Sequence, residues 1–117
     1  MSVQDLELLQ EKRIEKNIEL LDSKYKFQDY EEQVSFLRNV KVYESYKSAD
    51  LTNEKQRMCW VEYQLSKSTN EEYGTKYIQA VIDMRYAEKI YKTKQFELDS
   101  LNEKIKFLLY NTRPDPQ

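Results

Sequence analysis

The chain has 117 residues with one Gly, two Pro, one Cys and no His, and a net charge of −2. Without His and with a single Cys, most zinc sites and the Cys–His and Ser–His nucleophile pairs are excluded. One glycine excludes a glycine-rich phosphate loop, and the near-balanced charge argues against a generic basic nucleic-acid coat protein.

The first predicted element covers about residues 4–47. Ile14, Ile18, Leu21 and Tyr25 follow helical steps of four, three and four, and Phe27, Tyr30, Val34 and Leu37 follow three, four and three. The two stripes are out of register, which predicts a kink, a slip or a short break near Asp22–Ser23. Residues 48–53 read as a connection. Asn53 with Gln56 forms a capping-box pattern opening a short helix, about 53–67, with Thr52 as the alternative cap. Met58, Val61 and Leu65 share one face of it, widened by Cys59, Trp60 and Tyr63, so burial on more than one side is expected, with Cys59 as a small buried apolar residue.

Thr69 with Glu72 is a second capping-box pattern, ahead of a helix expected over 70–111. There the apolar positions repeat in heptads: Tyr77, Met84, Tyr91, Leu98 and Ile105 in one set, Ala80, Ala87, Lys94, Leu101 and Leu108 in the other. Only Lys94 breaks the run, as a rim residue or a register-setting polar position. A narrow seam of this kind lies against another helix. Residues 112–117 read as a tail. The expected fold is all-α: a single helical domain, 1–111, with two long antiparallel helices in a coiled-coil-like hairpin and a short helix between them. Seams this narrow also suggest a homo-oligomer, a dimer or higher.

Carboxylates alternate with Lys and Arg along the helices, the pattern of solvated faces and not of an acid/base pair. No catalytic, cofactor or metal residues are assigned, and neither enzyme activity nor a small-molecule substrate is expected. Arg85, Lys89 and Lys92, with Tyr86 and Phe96 nearby, form a basic, aromatic-edged stripe suited to a phosphate backbone or an acidic partner. Read plainly, the same stripe is a solvated face with Glu88–Lys92 as an intrahelical pair. The chain has ten tyrosines. Tyr43, Tyr46, Tyr63, Tyr86 and Tyr110 cannot all be buried in so small a protein, and with Phe96 they mark a candidate protein interface. Lone Cys59, the absence of a basic-then-apolar leader and the absence of an apolar run of about 20 residues point to the cytoplasm and away from membranes.

Residues 51–110 open with Leu51-Thr52-Asn53-Glu54-Lys55-Gln56-Arg57, pass through a short apolar helix and the Glu72-Tyr73 step, and enter a long Ala/Glu/Lys/Leu helix. This resembles a group of small phage and prophage helical accessory proteins, some encoded among phage recombination functions. The resemblance implies a host-cytoplasmic accessory protein in which Thr52, Asn53, Glu54 and Arg57 serve capping and helix–helix salt bridging. Three functions are then expected to compete: an inhibitor or adaptor binding a protein partner, an accessory factor for DNA recombination or single-stranded DNA handling, and a structural coiled-coil assembly component.

Overall fold

The computed structural model describes residues 3–66 and 69–111. They form three helices, α1 (Val3–Lys47), α2 (Glu54–Gln64) and α3 (Glu71–Asn111). The protein is all-α, and its two long helices run antiparallel. The expected tail, 112–117, and the last expected residue of the short helix, 67, lie outside the described residues.

The helix ends have local causes. Asn53 precedes α2 in an extended conformation, and its side chain accepts a 2.8 Å bond from the Gln56 N–H. The return arm of this capping box goes one residue further back than usual: Gln56 Oε1 accepts from the Thr52 N–H at 2.9 Å. At its far end α2 stops at Gln64, short of the expected 67, and the Leu65 N–H closes the last turn onto the Val61 carbonyl. The cap of α3 is Asn70, whose Oδ1 accepts from the Tyr73 N–H at 3.3 Å. Thr69, the expected cap, instead turns its hydroxyl onto the Tyr63 and Ser66 carbonyls, so it finishes the α2–α3 connection.

The chain divides into two compact units, residues 1–25 with 88–117 and residues 26–87. In the first unit, α3 buries Leu98, Leu101 and Ile105 and half-buries Tyr91, Lys94 and Leu108. The α1 residues that turn inward are Leu6, Leu9, Arg13, Lys16, Leu20 and Ser23, spaced three and four apart. Lys16 meets Glu97 and Glu19 meets Lys94, so position rises along α1 as it falls along α3, which fixes the antiparallel pairing.

In the second unit the buried apolar side chains are Leu37 of α1, Val61 of α2, Leu65 just past the end of α2, and Ala80 and Ala87 of α3. Gly74 is buried in the first turn of α3. Ser45 is fully buried and returns its hydroxyl to the Val42 carbonyl. Lys41 is 9% exposed; its ammonium pairs with Glu44 at 3.0 Å and lies 4.3 Å from the Tyr73 ring centroid. Such a stem-buried, head-satisfied lysine is the usual way a cation enters a small core.

Three expectations fail. The short break or register slip near Asp22–Ser23 is absent: α1 is one continuous helix whose inward positions keep one three-and-four spacing, and the Ser23 hydroxyl bonds the Leu20 carbonyl within it. Ile14, Ile18, Leu21 and Tyr25 are not seam residues but are 48–59% exposed. Cys59 is exposed, and with Tyr63 and Met58 also exposed, α2 buries one side only, through Val61 and Leu65.

Candidate interaction surfaces

The residues expected at a seam and those expected at an interface separate by burial. Leu98, Leu101 and Ile105 are buried, and Tyr77, Met84, Tyr91 and Leu108 are half-buried. Tyr43, Tyr46, Tyr63, Tyr86 and Phe96 are 58–72% exposed. Phe96 and Leu98 stand only two residues apart, yet one is 72% and the other 6% exposed, because two residues turn a helix by roughly 200°.

In the second unit, Phe36, Val40 and Tyr43 form an i, i+4, i+7 row on α1. They line a shallow groove with Asn39, Glu44 and Lys47. The Lys47 ammonium lies 4.4 Å from the Tyr43 ring centroid, at the groove's end. Tyr46 is faced by the Arg57 guanidinium at 4.4 Å. Arg57 therefore holds α2 to the end of α1 by stacking, and an ion pair between Arg38 and Glu62 also joins the two helices. That carboxylate holds the Arg38 guanidinium above its ordinary pKa. The Arg57 Nε is buried with no hydrogen-bond partner among the described residues. Tyr73, whose hydroxyl donates to the Leu37 carbonyl, is pushed above its ordinary pKa first by burial and then by the Glu44 charge.

Lys94, the one polar residue in the α3 heptads, belongs to a four-residue cluster. It reaches Glu19 across the seam at 3.2 Å and Glu97 at 3.7 Å; Lys16 reaches Glu97 at 3.0 Å and Glu19 at 3.3 Å. Glu19 is held below the usual carboxylate range by Lys94 and then Lys16, Glu97 by Lys16, and Lys16 above the usual lysine value by Glu97 and then Glu19. The four side chains keep 24–42% of their exposure, so solvent and salt weaken each pair. Their alternation fixes which residue meets which, a registry role. The sequence signal for this cluster was Lys94 itself, an unexplained polar seam residue that calls for an acidic partner.

Of the basic stripe, Arg85 lies in the second unit and Lys89 and Lys92 in the first, all exposed. Lys92 pairs with Glu88 at 2.6 Å, one turn back on its own helix. Phe36 and Phe107, 66% and 65% exposed, join the exposed aromatics without having been singled out in the sequence. Among the described residues, no helix is long and apolar enough to cross a membrane, and no group of three His, Cys, Asp or Glu could hold a metal ion. Comparison with protein-family models, with curated proteins and with solved structures finds no match.

Proposed function

We propose that this protein works by binding another protein, as an inhibitor or adaptor, and carries out no catalysis itself. The observation that carries this reading is the set of exposed aromatic side chains of the second unit. Phe36, Tyr43, Tyr46 and Tyr63 expose 58–66% of their surface, with a groove between Phe36 and Tyr43. Exposed aromatic side chains of this kind are enriched at interface centres. A partner helix carrying an apolar anchor would seat in the groove, with Lys47 receiving an acidic residue beside it. The Thr52–Arg57 segment adds the phage-type reading, and the lone exposed Cys59 suits a reducing cytoplasm.

The test is photo-crosslinking from position 43, with exposed position 75 as control, in the cells that make the protein. The expected outcome is an adduct with one protein from position 43 only. That protein, purified, then forms a defined complex that Phe36→Ser with Tyr43→Ser dissolves while the helical signal is unchanged. Equal labelling from both positions would sink the proposal. So would binding of a single-stranded oligonucleotide that needs Arg85, Lys89 and Lys92 and fades with salt, which would move the function to the DNA-handling class.

A further inference from the structure

The first unit carries two outer faces that the seam leaves uncovered, and they differ in sign. On α1, Ile14, Ile18, Leu21 and Tyr25 make an apolar stripe, 48–59% exposed. It lies roughly 140° around the helix from the inward residues at about 100° per residue. Over residues 3–25 the exposed charges on α1 are five carboxylates (Asp5, Glu7, Glu11, Glu15 and Asp22) against Lys12 and Lys24. On α3 a second heptad row runs through Lys89, Thr93, Phe96, Ser100, Glu103 and Phe107, every member exposed. It lies roughly 160° from that helix's seam by the same count. The exposed charges over residues 88–111 are Lys89, Lys92, Lys104 and Lys106 against Asp99 and Glu103.

We propose that the outer face of α1 in one copy docks on the outer face of α3 in a second copy. Three features favour this occupant over a face meeting its own kind. Over these segments α1 exposes a net −3 and α3 a net +2, so an α1–α1 or α3–α3 contact joins like charges, whereas α1 on α3 joins opposite ones. The shapes also match: the α1 stripe is uniformly bulky, while the α3 row places the small Thr93 and Ser100 around Phe96, leaving holes for Ile and Leu knobs. Both rows keep the three-and-four spacing that a helix needs to form a second seam. Because both faces point away from the shared seam, they occupy opposite outer edges of the two-helix layer. The contact is heterologous: a copy that uses its α1 face still offers its α3 face, so association continues past two copies, into a ring or an open chain.

This inference uses none of the aromatic groove of the second unit and stands or falls separately from the partner-binding reading. Complementation between two half-dead variants tests it. Ile18→Ser with Leu21→Ser disables only the α1 face, and Phe96→Ser with Phe107→Ser only the α3 face. All four positions are exposed, so both variants fold, as far-ultraviolet dichroism will show. In light scattering across a hundred-fold range of concentration, the wild-type chain is expected to form species above a dimer. Each variant alone is expected to stay monomeric, and an equal mixture to stop at a one-to-one heterodimer. Charge exchange supplies an independent measurement: Lys89→Glu with Lys104→Glu weakens association at least ten-fold, and mixing with Glu11→Lys plus Glu15→Lys chains restores it. A wild-type chain that is monomeric throughout overturns the proposal. Continued self-association of either serine variant overturns it too, in favour of a symmetric contact of the intact face, and so does a mixture that remains monomeric.

Discussion

Positions 96 and 98 offer the sharpest test of how α3 is phased. Leu98 is 6% exposed, so Leu98→Ala removes three buried carbon groups, worth about 2.4 kcal/mol at about 0.8 kcal/mol each. A rigid surround would raise the loss toward about 5 kcal/mol, but a two-helix layer can close part of the cavity, which places the expected loss at about 2.5–3 kcal/mol. Against a total stability on the order of 5–15 kcal/mol, that is a large fraction. Phe96 is 72% exposed, and Phe96→Ala should change the stability of the lone chain by no more than about 0.5 kcal/mol. Urea unfolding followed by far-ultraviolet dichroism at low micromolar concentration measures both. Repeating the melts at fifty-fold higher concentration should leave the Leu98→Ala deficit in place and open a new deficit for Phe96→Ala, because the proposed α1-on-α3 assembly would cover Phe96. If Phe96→Ala costs as much as Leu98→Ala at the low concentration, the buried seam of α3 does not run through Leu98 with Phe96 outside it.

The four-residue cluster across the first unit gives stability a pH dependence of defined sign. Glu19 and Glu97, held below the ordinary carboxylate range, stabilise the fold above that range, and the contribution disappears as pH falls through their lowered folded-state values. Lys16, held above the ordinary lysine value, contributes fully below it and ceases to as pH rises through its raised folded-state value. Lys16→Gln with Lys94→Gln should flatten the acid limb of a melting-temperature profile, and high salt should do much the same to the wild type; an unchanged acid limb in the variant refutes the assignment. Asn70→Ala should cost about 1 kcal/mol as the loss of a helix cap, more than an exposed substitution does, and an Asn70→Asp chain that keeps its stability in urea would agree. Native Cys59 should react with a thiol reagent at a rate near that of the urea-unfolded chain; strong protection would show that α2 is buried on its second side after all.

Much of α3 could be read in the sequence because its two heptad sets place apolar residues wherever the helix meets its neighbour. Ala80, Ala87, Leu98, Leu101 and Ile105 are all buried. The capping pattern at Asn53 was equally legible, since a cap is a local hydrogen bond between residues three apart. Thr69 and Asn70 are adjacent residues that can both cap, and the choice of Asn70 follows from the path of the connection, where Thr69 is needed by the Tyr63 and Ser66 carbonyls.

The first half of α1 is where the sequence misleads. Its cleanest apolar stripe, Ile14 to Tyr25, faces outward, and the seam runs instead through Arg13, Lys16, Leu20 and Ser23. The reason lies on the other helix. α3 brings Lys94 and Glu97 to that level, and Lys16 and Glu19 of α1 meet them across the seam, in step with an inward row that continues through Phe27, Tyr30, Val34 and Leu37. Helix content and the seam of α3 are properties of one chain segment at a time, and periodicity determines them, whereas the antiparallel direction shows in contacts between segments. Which face of α1 turns inward depends on what stands opposite. Only the tertiary structure decides it, and in doing so it leaves the apolar stripe Ile14, Ile18, Leu21 and Tyr25 exposed.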